Sequence, residues 1–367
     1  MKDKKLANIV PQNQEDEGII LSIIVPTWNI PSEIFKRCMN SIANLKNLSY
    51  EVLIMIDGDG QHDRYWAICQ ECFSSPERVK VIEIAHAGLN AVRNAGIKLS
   101  QGKWLFIVDA DDAICVEGLT LALNALKGAS DTVAYCTNHI EVFRSYSKRM
   151  MNYCEDERFN GVECCSRLMR CTYNMGQAWA KLFSRDFLIT NHLYYDESLA
   201  FGEDCEFILR LAFKAEQNNV TFMGSPVFSY QYYRNADSST KRFSEDYMNR
   251  YIRAFKIMNQ DFKEAKWEPK EFDIFVAHVL MQLTVNYVFN ANAGMTLKDH
   301  WHLYRKVRQI DEFACAIRNV HCAQMNSKSR SIVLMFWKLH LFLCLYAVAW
   351  FRHAQIRLGR KRWARRY

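Results

Sequence analysis

Five short apolar runs, rich in valine and isoleucine, recur through the first part of the chain and constrain its fold most strongly. Runs of this length are typical of strands that are buried on both faces. Helix-length segments separate them, and the first begins near Pro31, a residue favoured early in helices. The alternation predicts an α/β fold in which a mostly parallel sheet carries helices on both faces. The runs are LSIIV (21–25), YEVLIMI (50–56), VKVIEI (79–84), KWLFIV (103–108) and TVAYCT (132–137).

The rest of the chain divides by pattern into further segments. Residues 1–18 are polar and are predicted to form a disordered leader. Residues 19–240 are predicted to form the α/β domain, completed by less regular material in its last part. Helical patterns follow over 241–330, and an apolar helix with a basic tail is expected over 331–367.

The positive charge of the chain is concentrated at its C-terminal end. The net charge is +7, and the last sixteen residues contain seven Lys and Arg but no Asp or Glu, which leaves 40 basic against 40 acidic residues elsewhere. A basic tail of this kind binds nucleic acid, anionic lipid or another acidic surface. Because the body has no basic excess, it is not expected to form a nucleic-acid groove, and no nucleic acid partner is predicted.

The cysteines indicate the compartment. There are thirteen, an odd number at irregular spacing, which does not suggest a disulfide framework. The N-terminal residues contain no apolar signal region. The thiols are therefore predicted to be reduced and the protein to be cytoplasmic.

The run FIVDADD ends in three carboxylates, Asp109, Asp111 and Asp112. Side chains two residues apart on a strand point to the same side, and the carboxyl ends of parallel strands form the edge where ligands bind. Asp109 and Asp111 would therefore present hard oxygen ligands for Mg²⁺ or Mn²⁺, with phosphate oxygens and water completing the shell. The residues alone also allow a solvated acidic loop after an edge strand.

Five segments together resemble the signature segments of family 2 glycosyltransferases, the large inverting group with the glycosyltransferase A fold. The resemblance covers about residues 20–240. It implies a Rossmann-like, mostly parallel sheet with flanking helices, here followed by a C-terminal helical region. It also implies transfer of a sugar from a nucleotide sugar to a hydroxyl group. The segments, in order, are LSIIVPTWN (21–29), IDGD (56–59), AGLNAVRNAGI (87–97), FIVDADD (106–112) and FGEDCEF (201–207).

The resemblance implies donor-binding roles for residues near the strand ends. Pro26 and Thr27 match the turn after the first strand, which touches the nucleotide. Asp57 matches an acid that hydrogen-bonds the base, commonly uracil; the family often has two adjacent acids there, whereas this chain has Ile56 before Asp57. Arg93 matches a basic residue near the nucleotide.

The resemblance also assigns the acids. Asp109 and Asp111 match the metal and nucleotide pair, with Asp111 as the direct ligand, and Mn²⁺ or Mg²⁺ as the cofactor. Asp204 matches the general base. A carboxylate can take the proton of the attacking hydroxyl, while the metal stabilises the departing diphosphate. On spacing alone, Glu203 and Asp204 could equally be acids placed favourably at a helix N-terminus.

Two weaker segments suggest acceptor and donor contacts. AWAKLFSRDFL (178–188) resembles the acceptor-side segment, which makes Trp179 and Lys181, together with Glu203, candidate acceptor contacts. A packed core tryptophan is an open alternative for Trp179. YYRNADSST (232–240) resembles a late loop that closes over the donor, where Arg234 could meet the diphosphate.

The run 332–351 contains twenty residues, of which only Lys338 and His340 are polar. Its length could span a bilayer, and a buried helix is the alternative. A single span would separate a cytoplasmic catalytic domain from the basic tail, which should also stay on the cytoplasmic side. We therefore expect 332–367 to contact an anionic membrane surface from the inner face, with Trp337, Tyr346 and Trp350 at headgroup depth.

These observations predict a metal-dependent, inverting glycosyltransferase that extends a bacterial surface glycan on a glycan or lipid-linked acceptor. One alternative is a catalytically inactive binding protein with the same fold; the intact Asp109, Asp111 and Asp204 argue against it. Another is a metal-dependent nucleotidyltransferase. Such an enzyme would need a glycine-rich, basic loop after the first strand, whereas this chain has PTWNIPSE, which contains neither Gly nor Lys. A dinucleotide-binding oxidoreductase is disfavoured because no G-x-G-x-x-G follows a predicted strand.

Overall fold

The structure, a computed structural model, describes backbone positions for most of the chain and side chains as far as residue 355. The predicted leader lies outside the described residues except for Gly18, as do most of the late loop after Arg234 and most side chains of the basic tail. The described ranges are 18–58, 60–129, 131–234, 246–269, 271–291 and 293–364.

Ten strands of the described part form one mixed sheet. Its spatial order is β3-β2-β1-β4-β9-β6-β10-β5, with β7 beside β6 and β8 beside β10. The five predicted strands are confirmed as β1, β2, β3, β4 and β6. The strands are β1 Leu21–Thr27, β2 Tyr50–Asp57, β3 Val79–Ile84, β4 Trp104–Ile107, β5 Ala113–Ile114, β6 Thr132–Val142, β7 Ser147–Met150, β8 Glu157–Phe159, β9 Lys181–Ser184 and β10 Thr221–Tyr233.

The first half of the sheet is parallel, as predicted. β1 pairs in parallel with β2 on one side and with β4 on the other, and β2 pairs in parallel with β3. The chain therefore builds outward through β2 and β3, then crosses back to place β4 on the opposite side of β1. Such a reversal of strand order opens a crevice at the carboxyl ends of the strands, where ligands bind in α/β sheets.

The second half of the sheet departs from the mostly parallel prediction. β9 runs antiparallel between β4 and β6, and only the β6–β10 pair returns to the parallel direction. The sequence prediction treated residues 140–240 as irregular, and it missed the strands β7, β8, β9 and β10 there. Strand β9 consists of four residues, KLFS, which are too few to show a period.

Helices cover the sheet and extend the chain beyond it. Helix α3 packs so closely on the sheet that a Cβ atom at Gly96 would lie 2.6 Å from the Ile24 side chain. This approach fixes Arg93 of the same helix at the carboxyl edge of the strands. The helices of the α/β part are α1 Ser32–Ala43, α2 His62–Cys72, α3 Leu89–Leu99, α4 Val116–Ala125, α5 Gly161–Met169, α6 Arg185–Thr190 and α7 Glu203–Gln217.

The C-terminal region is helical, as predicted, but one predicted helical segment of it is divided in two. The predicted segment over 297–320 forms two helices, α10 and α11, separated by Gln309 and Ile310. A π-helical turn, Thr284–Val288, extends α9. The helices of this region are α8 Tyr247–Glu264, α9 Phe272–Leu283, α10 Leu297–Arg308, α11 Asp311–Asn319, α12 Lys328–Lys338 and α13 Phe342–Ala364.

The apolar run over 332–351 does not form one helix. Helix α12 ends at Lys338 and α13 begins at Phe342, because His340 adopts a left-handed backbone conformation with φ of +57°. The placement of Trp337 at headgroup depth was wrong. Its side chain is fully buried, stacks on Tyr304, and donates its indole N–H to Thr284 Oγ1 at 2.9 Å. Among the helices described, we find none with both the length and the apolar character needed to cross a membrane.

One hydrophobic core joins the sheet to the helical region. The same cluster contains Ile24 and Leu53 of the sheet, Phe207 of α7, and residues as distant as Trp337 and Ala349. The contact is direct at the start of α7, where the Phe201 ring stacks on Tyr251 of α8 with ring centroids 5.4 Å apart. The segments on either side of the predicted boundary near residue 240 therefore share this hydrophobic cluster.

Candidate active site

The turn after β4 presents two partly exposed carboxylates at the edge of the sheet. The Asp112 backbone N–H donates to the Asp109 carbonyl at 2.9 Å, which closes a tight turn. The Asp109 side chain is 30% exposed, and Asp111 is also half-buried. Burial raises the pKa of Asp109 to about 6; Arg93 opposes this, while Asp111 and Asp204 add to it. The turn therefore concentrates negative charge at the crevice beside β1.

Asp112 is the buried support of this turn. Its carboxylate accepts a hydrogen bond from the Tyr230 hydroxyl at 2.8 Å and another from the Tyr233 backbone N–H at 2.7 Å. The Tyr230 hydroxyl in turn accepts from the Asp109 backbone N–H at 3.2 Å. Burial, together with the charges of Asp109 and Asp111, raises the pKa of Asp112 to about 8. Strand β10 thus fixes the direction in which the two outer acids point.

Arg93 connects three carboxylates that are distant in sequence. Its side chain is only 3% exposed. The guanidinium contacts Asp204 Oδ1 at 2.8 Å, Asp109 Oδ1 at 3.5 Å and Glu203 Oε1 at 3.7 Å. It also lies over the Tyr195 ring, 5.1 Å from the centroid. The prediction placed Arg93 near the nucleotide; in the structure its charge is directed at these acids.

Glu203 and Asp204 form the first turn of α7. Gly202 precedes them with φ of +77°, a left-handed conformation that glycine adopts without strain. Asp204 Oδ2 accepts a hydrogen bond from the Ala178 backbone N–H at 3.2 Å. Both acids remain partly exposed, 19% for Glu203 and 18% for Asp204. Burial and the neighbouring Asp204 raise the pKa of Glu203 to about 7.

Asp57 anchors the loop between β3 and α3. Its carboxylate accepts hydrogen bonds from the backbone N–H groups of Ala87, at 2.8 Å, and Gly88, at 3.0 Å, and lies 2.9 Å from His86 Nδ1. Only 7% of its side chain is exposed. The His86 ring is well exposed and stacks near Trp28, which is 60% exposed. An exposed aromatic surface therefore lies next to Asp57, whose contact with a nucleotide base stays a prediction.

Pro26 and Thr27 lie at the end of β1, beside the crevice. Thr27 is buried, and its hydroxyl donates to the Val25 carbonyl at 3.1 Å. The Thr27 hydroxyl is therefore used in a hydrogen bond within the strand. The next residue, Trp28, is exposed. The sequence prediction missed both Trp28 and His86. A signal was available for each, because Trp28 comes one residue and His86 two residues after a strand that ends at the ligand-binding edge.

The prediction that Trp179 and Lys181 contact the acceptor needs correction. Trp179 is 8% exposed and is stacked between core aromatics, with the Tyr230 ring 4.9 Å away and the Tyr232 ring 5.3 Å away. Lys181 is 2% exposed, and its ammonium donates to the carbonyls of Asn174 and Gln177. Burial lowers the pKa of Lys181. Both side chains support the floor of the site.

Arg234 is half-exposed and forms an ion pair with Glu141 at the end of β6. Its guanidinium also lies over the Tyr232 ring, 4.9 Å from the centroid. The segment that follows, 235–245, lies outside the described residues. Arg234 is thus the last described residue before this segment. Its contact with a diphosphate stays a prediction.

Residues 22–191 match the model of the family described as glycosyl transferase family 2. The match identifies a glycosyl transferase family 2 region over these residues. Among its similar proteins, the uncharacterized glycosyltransferase EpsJ of Bacillus subtilis is 23% identical over 355 residues, which cover 89% of this chain and 95% of EpsJ. The succinoglycan biosynthesis protein ExoO of Rhizobium meliloti is 28% identical over 133 residues, or 35% of this chain and 38% of ExoO.

Solved structures share the fold of this glycosyltransferase. Residues 1–349 of S. aureus TarS superpose with a TM-score of 0.59 at 19% identity, covering 92% of each chain. The same part of TarS has been solved in complex with UDP and with UDP-GlcNAc. The predicted glycosyltransferase fold with a C-terminal helical region is confirmed, and the chain is an enzyme of the glycosyltransferase class.

Removing the Tyr230 hydroxyl should destabilise the acidic turn. Tyr230→Phe keeps the ring in the aromatic stack but leaves the buried Asp112 carboxylate and the Asp109 N–H each without one partner. We expect the free energy of unfolding to fall by about 1–3 kcal/mol, measured by urea denaturation. Tyr232→Phe is the control, since that hydroxyl makes no hydrogen bond with another described residue. Equal stability of the two variants would contradict this prediction.

Proposed function

We propose that the protein transfers a sugar from a UDP-linked donor to a hydroxyl of a glycan or lipid-linked glycan, with inversion at the anomeric carbon. The observation that carries the proposal is the convergence of Asp109 and Asp204 on the buried Arg93 at the carboxyl edge of the sheet. One acid belongs to the turn that faces the donor side, and the other begins α7. A family 2 domain therefore has a metal-binding candidate and a base candidate within one crevice.

Asp204 is suited to the role of general base by its geometry. Each of its carboxylate oxygens accepts one hydrogen bond, from Arg93 and from Ala178. A carboxylate offers about four lone-pair sites, so the acceptor hydroxyl can still donate to it. In-line attack would then need no covalent enzyme intermediate. Glu203, with its pKa raised to about 7, is the second candidate because a base works best when its pKa is near the working pH.

The acids at the edge fit a divalent cation that is shared with the donor. Within the described residues, no group of three His, Cys, Asp or Glu side chains is arranged to hold a metal. Asp109 and Asp111 supply two carboxylates at most, and Mg²⁺ or Mn²⁺ commonly takes one or two carboxylates and fills its shell with phosphate oxygens and water. When bound, the ion would offset charge on the departing diphosphate.

The donor assignment rests on likeness to TarS and on the surface beside β1. The exposed rings of Trp28 and His86 offer flat faces beyond the ends of β1 and β3, at the edge where β4 also ends. A screen of nucleotide sugars by thermal shift with Mn²⁺ tests the proposal directly. A donor at 100 times its dissociation constant should stabilise the fold by about 2.7 kcal/mol. If nucleotide sugars fail to shift the melting temperature while other ligands do so, the proposed donor class is wrong.

Asp111→Asn should nearly abolish metal-supported binding of a nucleoside diphosphate. The substitution removes one charged ligand of the cation while keeping the shape of the side chain. The measurement is calorimetric titration with UDP, with and without Mn²⁺. Asp131→Asn is a control for the loss of one exposed acid, since Asp131 pairs with Arg158 away from this edge. Unchanged Mn²⁺-dependent affinity in Asp111→Asn would contradict the metal assignment.

We also propose that the enzyme works in the cytoplasm at the inner face of the cell membrane, on an acceptor of a surface glycan. ExoO, a similar protein, is named for succinoglycan biosynthesis, which supports glycan synthesis as the setting. The exposed apolar side chains near the helix break at His340 support membrane contact. Co-sedimentation of the full-length protein with lipid vesicles tests this location.

A further inference from the structure

Helix α13 is apolar on two faces, and only one of them is covered by the described protein. The inner face contains Phe342 and Leu345, which pack into the core. The outer face contains Leu343, Trp350 and Phe351, which are 67%, 62% and 59% exposed. These three lie on one face because residues at i, i+7 and i+8 align along a helix. The outer face therefore presents three large apolar side chains that the described protein does not cover.

A cluster of cations lies at the C-terminal end of α12, next to the break that precedes α13. Arg308, Arg318 and Lys338 line a cleft of about 350 Å³, together with Ala314 and Ile317. Lys338 is the last residue of α12, and it is followed directly by Leu339, which is 58% exposed. Charged and apolar surfaces thus adjoin at this corner of the molecule.

Each of the three cations keeps donors that make no hydrogen bond with another described residue. Arg308 donates to the Trp337 carbonyl and contacts His340 Nε2 at 2.9 Å, and Lys338 donates to the Arg318 carbonyl at 3.0 Å. These bonds cap helix ends, yet arginine carries five donors and lysine three. Among the described residues, Arg318 contacts the Cys315 thiol and the Asn319 amide oxygen, each at 3.4 Å. In the part of the chain that the structure describes, none of the three pairs with an acid.

The surrounding sequence has the same charge. Residues 297–355 contain nine Lys and Arg but only three Asp and Glu. The net charge of the chain before the tail is zero, but its last helices carry a net positive charge. The basic tail continues beyond it from α13. An anionic surface is the partner that this charge distribution favours.

We infer that the cleft of Arg308, Arg318 and Lys338 binds the phosphate of an anionic phospholipid while the outer face of α13 enters the same leaflet. The cations would hold the headgroup, and Leu339, Leu343, Trp350 and Phe351 would contact the acyl region. An interfacial helix of this kind combines burial of apolar area with attraction to anionic lipid. The inference rests on the proposed membrane location and not on the chemistry of sugar transfer.

The test is co-sedimentation of the full chain with vesicles of phosphatidylcholine alone or mixed with phosphatidylglycerol. Arg318→Gln/Lys338→Gln should weaken binding to the mixed vesicles by about 25-fold, since each basic residue near an anionic surface contributes about fivefold. Lys46→Gln/Lys127→Gln removes the same charge from exposed positions of the α/β domain and should change binding less than twofold. Arg318→Gln alone, with only two long contacts to lose, should give about a fivefold change with an unaltered melting temperature.

Other outcomes separate the possible failures. If the unaltered protein does not sediment with mixed vesicles, both the membrane location and this inference are wrong. If it does sediment but the Arg318 and Lys338 variant matches its control, only the cleft is wrong. If inorganic phosphate stabilises the protein through these residues while vesicle binding is unaffected by their loss, the cleft binds a soluble anion and the inference is overturned.

Point substitutions are necessary because the segment cannot simply be removed. Leu334, Trp337 and Leu345 are fully buried, so deleting residues from 331 onward would open the core. Leu343→Ser/Phe351→Ser changes only exposed side chains. It should reduce vesicle binding by about tenfold or more, because both substitutions remove apolar area that the leaflet would bury. Unchanged binding would exclude the outer face of α13 from the membrane contact.

Discussion

Asp204→Asn should slow sugar transfer by about 10²- to 10⁴-fold, the usual contribution of a general base. Asparagine keeps the size of the side chain and can still accept from Arg93, but it cannot take the proton of the attacking hydroxyl. Donor binding should change little, because the diphosphate is expected to be held by the metal at Asp109 and Asp111. The measurement is the transfer rate together with donor affinity, once a donor and an acceptor have been identified.

Glu203→Gln is the matched control for this substitution. The two acids are adjacent, similarly exposed, and both within reach of Arg93. If Asp204 is the base, Glu203→Gln should have the milder effect on the rate. Near-normal turnover of Asp204→Asn with a slow Glu203→Gln would assign the role to Glu203, whose pKa is raised to about 7. Near-normal turnover of both would place the base elsewhere.

Arg93→Met should destabilise the fold by about 3–5 kcal/mol, the typical cost of breaking a buried ion pair by removing one partner. The substitution keeps the apolar part of the side chain over Tyr195 but leaves Asp109, Glu203 and Asp204 without their shared cation. The free energy of unfolding, measured in urea without added metal, should show the loss. A double variant with Asp204→Asn should recover part of it, because neighbouring groups are coupled.

Arg158→Met is the control for the loss of an arginine ion pair. Arg158 is 47% exposed and pairs with Asp131, which is 57% exposed, so its removal should cost about 0–1 kcal/mol, as for other surface pairs. If Arg93→Met and Arg158→Met unfold at the same urea concentration, the buried network contributes little to stability and the role given to Arg93 is wrong.

The elements that could be predicted are those that a local pattern of residues in the sequence indicates. The buried strands appear as unbroken apolar runs, and the acids at their ends occupy the edge that the parallel arrangement creates. Asp109 and Asp111 were placed there from the sequence, and both are at the tip of β4 and partly exposed. Their role as metal ligands remains a prediction. The position of these two acids could be predicted because the direction of the chain alone determines the sheet edge at which parallel strands end.

Features that depend on distant segments could not be predicted in this way. Lys181 is buried because the loop at Asn174 and Gln177 turns its carbonyls toward the ammonium. Arg93 faces Asp204 across 111 positions of sequence. The break at His340 interrupts twenty almost wholly apolar residues, and no proline or glycine marks it. Packing of Trp337 against Tyr304 and Thr284 accompanies the break, and such packing has no signature in the local pattern.

The loop that carries the proposed base rests on the C-terminal helices, and this limits how the enzyme can be shortened. Phe201 stacks on Tyr251, and a Cβ atom at Gly202 would lie 3.1 Å from that of Ala254. A fragment that stops near residue 240 would keep every strand and every acid discussed above, yet it would expose this aromatic contact to water. The helical region is therefore not a dispensable appendage, and changes in α8 far from any substrate should be able to alter the catalytic loop.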